Sequence, residues 1–190
     1  MQFIKSYKLF DDEYCDEIIE TFKKNKELGC VSRRDDGIRR DNQLELNTAV
    51  NHHEPNSEMD MRNDGIAVKF FEGLKEGVNQ YVSDLGLKNT LNEVWFKNML
   101  VQHYDSDKYE SYHTWHCEAS SRDSCDRAFV YMLYLNDNFD GGETEFMHQK
   151  HREVPLKGNL ILWPAGYTHI HRGAMLMSGE KYLVTGWVFF

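Results

Sequence analysis

From Asp11 to Leu28 the apolar positions Tyr14, Cys15, Ile18, Ile19 and Phe22 recur at the spacing of one helical face. Asp11 or Asp12 is placed to cap the start, and Gly29 to end the helix. A second stripe, Phe70, Phe71, Leu74, Val78, Tyr81 and Val82, predicts a helix from about Asp64 to Leu85. The segment between, Val31 to Asn56, is polar and charged and reads as a solvated loop, with a flap over a site as the alternative. After Asn89 the pattern changes. Leu91–Tyr104, Ala128–Leu135, Thr144–Met147, Asn159–Trp163 and Lys181–Phe190 are rich in β-branched and aromatic residues, which predicts strands. Turn clusters such as Asn136-Asp137-Asn138 and Asp140-Gly141-Gly142 separate them. Many short strands behind a helical first half predict a mainly β, α+β chain whose core is a sandwich, jelly roll or barrel.

At 190 residues, 41% of them hydrophobic and 28% charged, the chain has the size and composition of one folded domain over residues 1–190. No apolar run approaches a membrane span, and the first residues lack the apolar centre of a signal peptide, so a cytoplasmic protein without a membrane partner is expected. The net charge of −9 disfavours nucleic acid as a partner. Cys15, Cys30, Cys117 and Cys125 form no CxxC pair, which points to free thiols. Histidine is concentrated: seven of the nine lie from His103 to His171.

His116-Cys117-Glu118 is the first candidate half of a metal site, because alternation along a strand would put the imidazole and the carboxylate on one face. Thr168-His169-Ile170-His171 is the second, and alternation alone does not choose between its two histidines. Two imidazoles and one carboxylate make the facial triad of non-haem Fe(II) oxygenases. Lys181, ten residues beyond His171 at the start of an apolar strand, would need an anion if it points inward, and the distal carboxylate of 2-oxoglutarate is such an anion. His113 falls on the opposite strand face from His116, while His148, His151, His52 and His53 sit in polar turns. Trp163 and Trp187 read as core aromatics.

Taken in order, these pieces resemble the prolyl 4-hydroxylase branch of the 2-oxoglutarate/Fe(II) dioxygenases. The resemblance runs through Tyr104, His116-Cys117-Glu118, Arg127, Tyr134-Leu135-Asn136 and Gly141-Gly142-Glu143-Thr144-Glu145-Phe146. It continues through Pro155-Leu156-Lys157-Gly158, Trp163-Pro164, His171-Arg172-Gly173, Ser178-Gly179-Glu180-Lys181-Tyr182 and Thr185-Gly186-Trp187. It implies a double-stranded β-helix (jelly roll) core over about 91–190, packed by a helical support region over about 1–90. It implies that His116, Glu118 and His171 hold Fe(II), that Lys181 binds the distal carboxylate of 2-oxoglutarate, and that Tyr104, Tyr134 and Thr185 help to hold that co-substrate. Arg127, His169 and Arg172 would face product or substrate. Oxygen is the further co-substrate implied, with ascorbate as an accessory. The implied reaction hydroxylates an unactivated C–H bond, that of a prolyl residue in a peptide or protein, and releases succinate and CO2. A free amino acid or small metabolite is the alternative substrate, and a non-catalytic metal-containing jelly-roll binding module the alternative of another class. The chain departs from the family in carrying Glu118 where aspartate is usual, which lengthens the side chain by about 1.5 Å. Its interval between Tyr104 and His116 is also longer than the family's.

Overall fold

The structure, a computed structural model, describes residues 3–46, 58–91, 93–96 and 99–190, with side chains of the second helix from residue 65 onward. In chain order the elements are β1 (Lys5–Lys8), α1 (Asp12–Glu27), β2 (Ser32–Asp35), β3 (Arg40–Leu46), α2 (Glu58–Asp84), β4 (Trp95–Phe96), β5 (Met99–Asp105) and β6 (Arg127–Tyr134). There follow β7 (Asp140–Gly141), β8 (Thr144–Phe146), β9 (His151–Glu153), β10 (Asn159–Pro164), β11 (His171–Gly173), β12 (Leu176–Ser178) and β13 (Glu180–Phe189). The large antiparallel sheet runs β1-β10-β6-β13-β5-β3-β2, with β4 also paired to β13. Smaller sheets, β11-β8-β9 and β12-β7, complete the jelly-roll core.

Helix α1 forms as its sequence predicts. The Asp11 carboxylate accepts a hydrogen bond from the Tyr14 backbone N–H at 2.7 Å, and Asp12 and Glu13 in the first turn suit the positive end of the helix dipole. Gly29, at φ +74°, follows the Leu28 C-cap. Tyr14, Cys15, Ile18, Ile19 and Phe22 are the face it buries. Helix α2 begins at Glu58, six residues ahead of the start expected at about Asp64. Gly77 lets it lie against β10, because a Cβ there would come 2.5 Å from the Leu160 side chain.

Strand alternation divides the large sheet into two faces. Leu44, Leu46, Met99, Val101, Phe129, Tyr131, Leu133, Leu160, Leu162 and Val184 join the helices in the main core. The opposite face carries Gln43, Glu45, Leu100, Gln102, Tyr104, Val130, Met132, Trp163, Lys181, Leu183, Thr185 and Trp187, and these line a cavity of about 450 Å³. The register sets them in rows: Lys181 opposite Tyr104; Leu183 opposite Gln102, itself opposite Gln43; Thr185 opposite Leu100, itself opposite Glu45.

The segment expected to be a solvated loop is a correction. Residues 32–35 and 40–46 form an antiparallel hairpin that extends the large sheet through β3 and β5. Its turn is made by Asp36, whose Oδ1 accepts from the Ile38 and Arg39 N–H groups at 3.1 and 2.8 Å, with Gly37 at φ +81°. The strand was hidden because Gln43 and Glu45 line a polar cavity and Asp41 is buried against Arg39 and Gln43 instead of entering an apolar core, so little apolar alternation shows. With β1, this hairpin makes the first ninety residues contribute strands as well as helical support. Residues 47–56 of that segment, including His52 and His53, lie outside the described residues. Among the described residues no helix is long and apolar enough to cross a membrane, and all four cysteines are free.

Candidate metal centre

His116, Glu118 and His171 each offer one ligand atom, and these atoms lie within 4.8 Å of one another. The expected regular strand at 116–118 is not what joins them. The segment is irregular and is held by a single bridge, His116 to His171, with backbone hydrogen bonds of 3.0 and 2.9 Å. Glu118 is then fixed by hydrogen bonds from its own and the Ala119 backbone N–H to the Ala165 carbonyl.

The second half also departs from simple alternation. Tyr167–His169 is a short 3-10 turn, and only His171 enters a strand. His169 therefore turns away from the cluster. It is buried, its Nδ1 is 3.0 Å from the Thr168 hydroxyl, and its ring meets Phe3 edge-on. Burial and the neighbouring His171 and His148 lower its pKa. His113 is exposed, with Nδ1 3.0 Å from the Ser111 hydroxyl, and is not part of the cluster. His151, expected in a turn, lies in β9 with Nε2 2.7 Å from Glu153.

The surroundings of the three side chains orient them. His116 Nδ1 lies 2.8 Å from the Thr114 carbonyl, and His171 Nδ1 lies 3.0 Å from the His169 carbonyl. A carbonyl can only accept, so each Nδ1 carries a proton and each Nε2 faces inward, donating to Glu118 when it is protonated and offering a lone pair to a metal when it is not. Glu118 Oε1 is 3.3 Å from His116 Nε2 and 3.6 Å from His171 Nε2. Adjacent ligand atoms around an octahedral ion with bonds near 2.1 Å would be about 3 Å apart, so the trio is close to the spacing one ion requires. The other oxygen, Oε2, accepts from the Trp187 indole N–H at 2.9 Å and from Arg127 at 3.4 Å. Arg127 also donates to the Glu118 carbonyl at 2.9 Å and lies over the Trp187 ring at 3.8 Å. The longer glutamate is thus tied back by one oxygen and offers the other. Burial works to raise the Glu118 carboxyl, but its hydrogen bonds to the two imidazoles and their charges outweigh it and hold it well below the usual range. Two imidazole nitrogens and one carboxylate oxygen, with protons locked on the far nitrogens, fit Fe(II).

Lys181 is buried on the floor of the same cavity. Its Nζ donates to the Gly142 carbonyl at 2.9 Å and stands 4.9 Å above the Tyr104 ring. Burial pushes its pKa down to about 8, against a weaker opposing pull from Glu143. Gly142, at φ +70°, has room for no Cβ without crowding the Lys181 stem. Tyr104 lines the cavity, its hydroxyl donating to Gln102 at 3.1 Å. Thr185 lines it too, with its hydroxyl turned to the Tyr131 carbonyl at 3.0 Å. Tyr134 does not reach the cavity wall: its hydroxyl is 2.8 Å from that of Thr144, which does. Sequence reading missed Tyr112, which stacks on His116 at 4.0 Å, and the buried pair Arg39–Asp41 at the cavity's edge. It also took Trp187 for a core aromatic. The alternation Lys181, Leu183, Thr185, Trp187 along one strand was the signal that could have placed that indole in the cavity.

Residues 99–189 match the family described as the 2OG-Fe(II) oxygenase superfamily. Curated proteins offer no significant sequence match. Among solved structures, a viral collagen prolyl hydroxylase from Paramecium Bursaria Chlorella virus-1, in its 2OG complex, is 19% identical with a TM-score of 0.67, covering 98% of this chain and 96% of that one. A Pseudomonas putida prolyl-4-hydroxylase is 17% identical with a TM-score of 0.70, covering 98% and 91%. A Trichoplax adhaerens prolyl hydroxylase, in complex with a hypoxia inducible factor oxygen degradation domain peptide fragment, is 17% identical with a TM-score of 0.69, covering 98% and 83%. At these identities the likeness is one of fold.

Proposed function

From the match of residues 99–189 to the 2OG-Fe(II) oxygenase superfamily, whose chemistry uses Fe(II), 2-oxoglutarate and O2, we propose that this chain hydroxylates a prolyl residue of a peptide or protein. His116, Glu118 and His171 hold the metal in this reading, and Lys181 holds the far carboxylate of the co-substrate. The observation that carries it is the arrangement of Glu118 Oε1 beside two imidazole Nε2 atoms, 3.3 and 3.6 Å away, in a cavity that also contains a buried ammonium group.

Bound there, the metal and co-substrate supply the oxidation: R–H, O2 and 2-oxoglutarate become R–OH, succinate and CO2. The protein's own residues position and exclude. Thr114 and His169 carbonyls fix the imidazole tautomers; Trp187 and Arg127 restrain Glu118 to one oxygen, which keeps coordination positions open. The Lys181 ammonium, buried in the wall of the cavity, would meet a carboxylate where the pairing is stronger than at a surface. Leu183, Met132 and Tyr104 enclose the space beside it. The prolyl substrate draws its support from the structural relatives described as prolyl hydroxylases, one of them with a bound peptide fragment.

A screen of proline-containing peptides with anaerobically loaded Fe(II), 2-oxoglutarate and then O2 tests the reading. Gain of one oxygen by a peptide, with matching succinate, is the expected result. Oxygen gained only by free amino acids would move the substrate to a small molecule, and no succinate above metal-free controls would remove the catalytic reading.

A further inference from the structure

Over the whole chain acids outnumber bases, 31 Asp and Glu against 22 Lys and Arg. Among the side chains that line the cavity the balance reverses, with Asp36, Asp41 and Glu145 standing behind three of the bases. Arg34, Arg39, Arg127, Arg172 and Lys181 line it, against Glu45 and Glu118. Two of these cations have duties within the centre, Lys181 toward the co-substrate and Arg127 on Glu118. Arg39 is spent on the fully buried Asp41, which it grips through Nε at 2.8 Å and Nη2 at 2.6 Å. Arg34 and Arg172 remain.

These two are held alike. Arg34 Nε donates to Asp36 at 2.8 Å, and Arg172 Nε donates to Glu145 at 2.7 Å. Glu145 also pairs with the exposed Arg152, which is itself 3.7 Å from Glu143. In both arginines the acid binds the inner nitrogen, and among the described residues the Nη groups have no hydrogen-bond partner. The outer edge of a guanidinium is the fork that receives a carboxylate side-on. Arg172 is further kept in place by Trp115, its guanidinium 4.4 Å above that ring. Both side chains are partly exposed, 49% and 37%, so an incoming ligand reaches them from solvent.

We propose that Arg34 and Arg172 form an anion subsite for the substrate, and that the hydroxylated peptide carries Asp or Glu beside its target residue. This rests on the peptide reading above and adds its charge. The outward Nη edges of these two guanidinium groups are the donors an incoming ligand meets at the cavity, so a carboxylate beside the target residue is drawn to them.

The test pairs a prolyl peptide flanked by glutamates with its glutamine counterpart, in kinetics and in titration binding to the Mn(II), 2-oxoglutarate form. The acidic peptide should have a KM and Kd lower by about tenfold, a few-fold from each partly exposed arginine. The gap should narrow as salt rises. It should vanish in the Arg34→Gln, Arg172→Gln double variant and persist in Arg40→Gln, which alters the same hairpin away from the cavity wall. Equal affinity for the two peptides, or undetectable binding of both, overturns the subsite, as does a preference that survives the double variant. If the acidic peptide binds better yet gains no oxygen, the prolyl reading fails and the subsite stands. If free amino acids are hydroxylated with KM raised in the double variant, the subsite serves a small carboxylate.

Discussion

Replacing Lys181 with Met should make the ligand-free protein more stable while removing its hold on 2-oxoglutarate. The side chain is 6% exposed, and its burial lowers the amine from 10.5 to about 8. That gap corresponds to roughly 3 kcal/mol of native stability lost at pH 7, where both folded and unfolded lysine are charged. Methionine has similar reach and no charge. It gives up the 2.9 Å hydrogen bond to the Gly142 carbonyl, a loss of about 1 kcal/mol. The net gain is about 2 kcal/mol, or a Tm rise of about 4–8 °C for a chain of this size. The sign with pH is fixed. Below about 8 the cost is fully present; between about 8 and 10.5 the native amine deprotonates first, the unfolded chain holds more protons, and wild-type stability rises with pH. The advantage of the variant should therefore shrink across that window. Meanwhile the distal carboxylate loses its buried partner, which weakens 2-oxoglutarate binding by about 30-fold or more, with metal affinity little changed. Thermal melts at a series of pH values and a co-substrate titration measure both. A variant that melts no higher than wild type at pH 7, or that binds 2-oxoglutarate normally, would refute the reasoning.

His171→Ala should abolish Fe(II)-dependent turnover of 2-oxoglutarate, and His169→Ala should leave much of it; succinate assays with the reverse outcome would reassign the ligand. Trp187→Phe keeps the ring beneath Arg127 but removes the donor to Glu118 Oε2, so Mn(II) affinity, read by electron paramagnetic resonance, should fall by about 10- to 100-fold. Unchanged affinity would show that the carboxylate needs no such restraint. Asp11→Ala deletes the α1 cap and should cost about 1 kcal/mol, seen as a Tm lower by about 2–4 °C, without altering metal binding.

The amino-acid sequence by itself determined the parts whose causes are local. Helix α1 could be read from its cap, its apolar stripe and Gly29, because each acts over one or two turns. Strands β6, β10 and β13 could be read because fully or half-buried strands show in their apolar content. The residue types of the candidate centre were also legible, since two imidazoles, a carboxylate and an inward lysine are rare chemistry in that order. Tertiary structure decided the rest. Hairpin β2–β3 carries polar residues inward, and only the cavity beyond makes them sensible. A 3-10 turn at Tyr167–His169 selects His171 for the cluster and leaves His169 to supply a carbonyl, against the alternation that made them equal. The indole of Trp187 and the guanidinium of Arg127 decide which oxygen of Glu118 faces the imidazoles. Such contacts join residues up to 69 positions apart, and no local propensity encodes the direction of a side chain whose partners arrive only when the sheets close.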